Sequence, residues 1–584
     1  MICTTPICAY HKSAAEKAAV ALLTFALATG IAPGGTPSGI GRPTSPPANP
    51  FLAAEFNNQS HWNDAAPDST DIAVPKGHFR LRARGFQWLP NETLGIPAYS
   101  AVVQGEEVHW FYSGFALQKW LRRSARFELI DSRKIPVPWP DYRAVTPAER
   151  TRQARRIQDS LVRGDEAGLL AFLQAQPNRA LTAVEDQVAH GVLYSLLTRE
   201  HAFIGANARG LVRIDQTDPD NPRSRLREPL QVSLADSLFD DAKVSQRSIF
   251  ATDSVFGLNM SFNGFLVANT VGGAIATLDR NRLEIIDIYR TPNSDELFTN
   301  SFATSPEVGG GAVYVASNRA MYRLVVDATG RIRTDVASGA WRVPYSAGER
   351  MVGKIADGTG STPTLMGFGP DEDELVVITD GARRMRLIAF WRNQHPGPDT
   401  REPRPPIADQ IEVDMGPDID PIQSEQSVVA YGHYVFVLNG IPATGARPLT
   451  SRASYYRGLL TGATRALPQG IAMYAWDPAA HRWQKIWSRA DIGTVATVPM
   501  ISGGSHMVIV NGNYQGRLND LYQLGFDLDT GKTVMSIATG ADPRFNGAFT
   551  GIKCDRHGAL MYTTLLGLVR FDTQRMIRVP APFP

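Results

Sequence analysis

The sequence predicts an all-β chain, a β-propeller of eight blades with seven as the alternative, carrying one inserted helical hairpin. Three observations predict it. First, a pattern recurs while its residues do not: GGGAVYVASNRAMYRLVVD (Gly309–Asp327), REHAFIGANARGLVRID (Arg199–Asp215), NGFLVANTVGGAIATLD (Asn263–Asp279) and RHGALMYTTLLGLVRFD (Arg556–Asp572) share one rhythm of apolar strand, polar turn and apolar strand ending in Asp. Second, the strands are short, alternate with period two and are joined by Gly-bearing turns, which is hairpin grammar. Third, the composition is globular and turn-rich, 43% hydrophobic and 20% charged with 51 Gly and 40 Pro in 584 residues. Repeats of this length with four strands each are the signature of a propeller, because one blade cannot bury both faces but a closed ring of blades can. Two stacked sandwiches would show neither the recurring second strand nor the recurring turn.

The N-terminus reads differently. Lys12 and Lys17 precede AAVALLTFALA, which ends in Ala26-Leu27-Ala28. A basic region, a short apolar run and a small-residue site predict a secretory signal over residues 1–28, hence a periplasmic or extracellular protein. A fortuitous apolar helix is the alternative, and Glu16 speaks for it. Removal of the signal takes Cys3 and Cys8 with it, leaving Cys554 and no intrachain disulfide. The Pro- and Gly-rich stretch that follows predicts a flexible linker over 29–78, with the propeller spanning 79–584. A net charge near +2 gives no basic footprint for nucleic acid. No later stretch approaches the length of a membrane span.

Eight copies of the repeat can be aligned from Ser100 to Asp572. Between the first and second lies TPAERTRQARRIQDSLVRGDEAGLLAFLQAQPNRALTAVED (Thr146–Asp186). Thr146, Pro147 and Glu149 form a capping box with a first-turn proline. Ile157, Leu161, Leu169, Leu170 and Phe172 follow at helical spacing, and Gly164 separates two helices. The insertion over 146–186 leaves the outer strand of blade 1 toward the face that carries the turns between second and third strands. A lid and a structural brace fit it equally. The basic run Arg150–Arg156 is expected on the solvated side.

Two outer segments, Tyr474–Trp487 and Phe526–Ser536, resemble blades of quinoprotein-type propellers, which run from an Asp through a Thr-Gly turn to a Trp; Asp527–Lys532 fits that turn. More broadly, Asn300–Leu324, Gly358–Gly381 and Ser424–Val429 resemble a family of secreted bacterial propeller proteins with PQQ-like repeats. That resemblance implies fold and location; no established activity comes with it. The chain lacks the vicinal cysteine pair of PQQ alcohol dehydrogenases and any C-x-x-C-H for covalent haem, so PQQ and c-type haem are not expected.

The remaining candidates are polar groups where strands enter the funnel. Asp380 and Glu425 are candidate acid and base, and Arg544 a candidate anion-orienting group. Asn300, Ser361, Thr362, Asn439, Asn511, Asn513 and Asn546 are candidate ligand-binding residues, with ordinary turn formation as the alternative for each. Asn318 belongs with them. His201, His433, His506 and His557 occupy the same turn of four repeats, on the face away from the funnel, which predicts turn formation rather than a metal centre. His109 and His190 match no ligand spacing. Asp418, Asp420 and Glu425 offer oxygen ligands for calcium, though without an EF-hand's spacing. GERMVGK (Gly348–Lys354) has P-loop glycines but Ile355 where Ser or Thr would hold magnesium, and is rejected. The expected function is an exported propeller binding a small polar ligand or a protein partner at its funnel. The alternative is a lyase, hydrolase or oxidoreductase in the same funnel, calcium-assisted in one version.

Overall fold

The computed structural model describes residues 43–53, 59–90, 99–112, 116–124, 126–136, 146–175, 194–351, 354–393, 406–441 and 466–582. Residues 1–28, Cys3, Cys8 and His190 lie outside them.

Among the described residues five blades are separate four-stranded antiparallel sheets, blade 4 has a fifth short strand, and blades 6 and 7 are joined in one sheet where Ile492–Thr494 pairs with Gly512–Tyr514; the chain is an eight-bladed β-propeller. Blades 1 to 7 span 99–134, 195–233, 255–290, 302–344, 364–412, 429–494 and 500–538. Blade 8 takes three strands from 553–571 and its outermost strand, Phe86–Pro90, from the N-terminal side of the chain. Joining both ends of the chain in one blade closes the ring.

The repeat has a local cause. Asp279, Asp477 and Asp527 end a third strand and Asp327 directly follows one, and each carboxylate accepts backbone N–H groups of the turn that follows, from Arg282 at 2.8 Å, Thr329 at 2.8 Å, Ala479 at 3.0 Å and Thr530 at 3.1 Å. In the quinoprotein-like turn, Gly531 has φ of +65° and its Cα faces the Trp487 ring of the neighbouring blade so closely that a Cβ would stand 2.7 Å from it.

The hairpin forms as the capping box dictates. In α1 (Pro147–Val162) the Glu149 N–H donates to Thr146 Oγ1 at 3.2 Å, and the Thr146 N–H donates back to the Glu149 carboxylate at 3.0 Å. In α2 (Glu166–Gln174) Asp165 caps the N–H of Gly168. Ile157, Leu169 and Leu173 are buried in one cluster with Val271, Ala356, Ala548 and Leu566, which come from blade 3, the loop before blade 5, the loop before blade 8 and the second turn of blade 8. The hairpin thus lies across the funnel face. Arg150, expected in solvent, is buried there instead.

The largest departure from expectation is the linker. Described residues of 43–78 are packed against the blades, with Leu52 at 1% and Trp62 at 2% exposure. This segment touches the innermost strand of every blade. Carbonyls of five consecutive residues point outward: Asp64 O accepts from Thr304 N at 2.9 Å, Ala65 O from Leu365 N at 2.9 Å, Ala66 O from Thr364 Oγ1 at 3.1 Å, Pro67 O from Ala430 N at 2.9 Å and Asp68 O from Ile501 N at 3.1 Å. Those donors belong to blades 4, 5, 6 and 7. Gln59 bridges to Leu196 of blade 2 and reaches Asn259 of blade 3, Ser60 meets Tyr99 of blade 1, and Lys553 Nζ of blade 8 donates to Gln59 O at 2.6 Å. Residues so close in sequence can meet eight blades only on the axis. Ala66 and Asp68 take left-handed φ of 52° and 49° to make this path. The segment is a hub, and the axial pore is filled by the chain itself.

Candidate functional site

Between the hairpin and the hub lies a continuous polar cluster. Asn300, at the entry to blade 4, is its centre. Its Oδ1 accepts from Tyr194 Oη, from Thr362 Oγ1 at 3.0 Å and from Ser301 N at 2.8 Å, while its Nδ2 donates to Gly360 O at 2.6 Å. Gly360 has φ of +66°, and a Cβ there would stand 2.5 Å from Glu425 Oε1, so this glycine lets the backbone reach the carboxylate. Glu425 accepts from Ile355 N at 3.3 Å and has Lys354 Nζ 3.9 Å from Oε1.

Burial dominates the electrostatics. It pushes the Glu425 carboxyl up to about 7, against the pull of Lys354 and the Ile355 N–H. Burial likewise lowers the Lys354 ammonium, opposed by the charges of Glu425, Asp380 and Asp357. Lys354 Nζ donates to Gly358 O at 2.6 Å, and its side chain keeps 1% exposure against 15% for Glu425. Asp380 makes no ion pair with Lys354; its carboxylate is taken up by Arg386. Its own hydrogen bonds are structural: it accepts from Ala382 N and Arg386 N and pairs with Arg386 Nε at 2.7 Å, closing the turn of blade 5.

The hub supplies the floor. The His61 Nδ1–H donates to Asp68 Oδ2 at 2.7 Å, and its ring stacks on Tyr194 with centroids 6.1 Å apart. Among the described residues Asp68 Oδ1 has no hydrogen-bond partner despite its burial, nor do the hydroxyls of Thr299 and Thr359. Burial pushes the Lys553 ammonium down to about 7, opposed by the Asp68 charge.

The other candidates part company with this cluster. Arg544 clamps Asp542, with its Nη2 2.6 Å from the carboxylate, and lies over the Phe86 and Trp88 rings; none of these partners belongs to the Glu425 cluster. Asn439 accepts from Gln423 N at 3.1 Å and donates to Pro421 O at 3.2 Å. Asn318 accepts from Leu297 N at 2.8 Å, and Asn511 accepts from Gly547 N at 2.8 Å. All three staple an interblade loop to the end of a second strand. Asn546 donates to Gly547 O at 3.1 Å, and Ser361 Oγ to Gln426 O at 3.1 Å. Asn513 is buried on its strand. Of the candidates only Asn300, Thr362 and Glu425 come together; Asp380 stands apart on Arg386. Lys354, Tyr194, His61, Asp68 and Lys553 were missed. The first was set aside with the P-loop-like motif, and the hub residues were read as linker.

His201 and His506 occupy left-handed turn positions, with φ of 58° and 49°. His506 pairs with Asp529 at 2.9 Å and His557 with Glu107 at 3.4 Å, while His109 is buried against Glu107 at 2.8 Å. Asp420 is paired with Arg383 at 2.6 Å, away from Glu425 on Lys354, so the acids of the calcium candidate are engaged separately. Among the described residues no three His, Cys, Asp or Glu side chains are grouped to hold a metal ion.

No family model matches the sequence. An uncharacterized protein of Archaeoglobus fulgidus is 26% identical over 327 residues, 54% of this chain and 61% of that protein, so the chain spans about three fifths of the relative's length. Among solved structures, the quinohemoprotein alcohol dehydrogenase ADHIIG of Pseudomonas putida HK5 is similar with a TM-score of 0.45 and 12% identity, over 91% of this chain and 82% of its own. The Cps50 (Swd1) β-propeller domain of Myceliophteria thermophila is similar with a TM-score of 0.33 and 9% identity, over 64% of this chain and 92% of its own. These are likenesses of fold.

Proposed function

We propose that the chain is an exported propeller that binds a small polar molecule at the polar cluster between hairpin and hub. The observation that carries this reading is a pair of polar groups on either side of Gly360, Tyr194–Asn300–Thr362 and Glu425–Lys354. It gathers amide, hydroxyl, carboxylate and ammonium groups from separate loops onto the axis, with Asp68 Oδ1, Thr299 and Thr359 left as unused hydrogen-bonding groups beside it. A ligand with both acceptors and donors, such as an amino or hydroxy acid, matches that set. The hairpin acts as lid, because its apolar face covers the same funnel. Protein denatured in acidic methanol should release about one equivalent of a small polar molecule, detected by mass spectrometry. Asn300→Ala and Glu425→Gln proteins that fold should release none. Equal release from all three, or none from any, would refute the reading.

A second reading, a funnel enzyme, rests on Glu425 standing near neutrality beside a lysine whose charge is weakened by burial. It requires that the released molecule be chemically altered by the protein and not by Glu425→Gln.

A further inference from the structure

We propose a second site, independent of the axial cluster: an oxyanion-binding cleft on the outer edge of the seam between blades 8 and 1. The cleft has a volume of about 200 Å³ and is lined by Arg84, Arg126, Arg570 and Arg575 with a single carboxylate, Asp572. Two of the guanidinium groups are committed, Arg570 to Asp555 at 2.5 Å and Arg575 to Asp572 at 3.3 Å. Arg84 and Arg126 are exposed and have no carboxylate or hydrogen-bond partner among the described residues. The cleft therefore carries two uncompensated positive charges facing one small volume.

The scaffold beneath it is rigid. Phe127 N donates to Gln87 Oε1 at 2.9 Å and Gln87 Nε2 donates to Phe127 O at 3.3 Å, locking the outer strand of blade 8 to that of blade 1 beside Arg126. Asp572 N donates to Gly85 O at 2.8 Å, fixing the turn that carries Arg84. Phe86 and Trp88 form an apolar wall that lowers the local dielectric. Planar guanidinium forks carried on backbone fixed in this way can close on the oxygens of a tetrahedral oxyanion, and the volume suits a phosphate or sulfate group, free or at the end of a larger molecule.

The test uses the full chain and inorganic phosphate, followed by calorimetry and by thermal unfolding at constant ionic strength. Phosphate should bind saturably and raise Tm by mass action, and potassium chloride should not. Arg84→Ala and Arg126→Ala should each weaken binding about tenfold, as expected for a charge-assisted pair. Arg333→Ala, at an exposed ion pair with Asp327 elsewhere on the ring, should leave binding unchanged. Both test residues are exposed, so the variants' Tm without phosphate should match the parent's. Tighter binding of phenyl phosphate than of inorganic phosphate would assign the site to an esterified group, and equal binding to the free ion. A phosphate effect matched by chloride, or one that survives both arginine substitutions, overturns the proposal.

Discussion

Asp64 carries the clearest titration in the hub. Its side chain is 2% exposed, and Gln59 Nε2 donates to it at 2.7 Å and Asn49 Nδ2 at 3.2 Å. Burial nonetheless wins and pushes the carboxyl from 3.8 up to about 7. The folded state therefore binds the proton more tightly than the unfolded chain. The associated stability is fully present below the unfolded value and is lost as pH rises toward about 7, an amplitude on the order of 4 kcal/mol for this group. Asp64→Asn should remove this slope, so the difference in Tm between variant and parent should grow from pH 4 to 7 and then level off. A constant difference would mean that Asp64 is ionised in both states. At this scale the sequence was legible in part. Asn300, Thr362 and Glu425 stood out as polar groups at strand entries, and they do converge. The same logic selected Asn439, Asn511 and Asn318, whose amides are consumed stapling loops, because a turn and a site ask for the same residue types.

At the scale of the element, the repeat was readable because each part has its own chemistry: alternation for strands, Asp for the turn after the third strand, a capping box for the hairpin. The Asp527–Lys532 turn shows how local and interblade terms combine. Asp527 Oδ1 accepts from Thr530 Oγ1 at 2.8 Å, and Trp487 Nε1 donates to Leu528 O at 2.7 Å. Gly531→Ala should pay twice, for a left-handed φ and for a methyl driven into the Trp487 ring, and lose about 2 kcal/mol or more. Gly516→Ala, at φ of +75° with open space around it, bears only the backbone cost of about 1 kcal/mol. Urea midpoints of the two variants separate the packing contribution from the conformational one. Equal losses would show that the ring contact contributes nothing.

The whole molecule depends on two joins that no periodicity announces. One is the seam of blades 8 and 1, where Asp555 is buried between Arg570 at 2.5 Å and Arg122 at 3.3 Å. Burial opposes its charge, but the Arg570 guanidinium holds its carboxyl below the usual range. Asp555→Asn leaves buried guanidinium charge uncompensated and should cost about 3–5 kcal/mol in urea unfolding; a loss below 1 kcal/mol would show that the seam does not depend on this pair. The other join is the hub. Its core, residues 63–68, is Asn, Asp, Ala and Pro without strand or helix rhythm, because successive residues bond to successive blades instead of to one partner strand. That is why composition read it as a linker. In an open propeller, the first strand of every blade presents an unpaired edge to the axis. Here the carbonyls of Asp64, Ala65, Pro67 and Asp68 satisfy the N–H groups of Thr304, Leu365, Ala430 and Ile501 in turn. A chain starting at Lys76 keeps the strands that close blade 8 but loses the hub, leaving those four donors and the Lys553 ammonium without their partners. It should lose its single cooperative unfolding transition and bind a hydrophobic dye, with far-UV circular dichroism largely retained. A peptide spanning 43–75, added in trans, should restore the sharp transition, because the contacts it makes are to residues already arranged in a ring. Cooperative unfolding of the truncated chain at the parent's Tm would reduce the hub to a passenger in the pore.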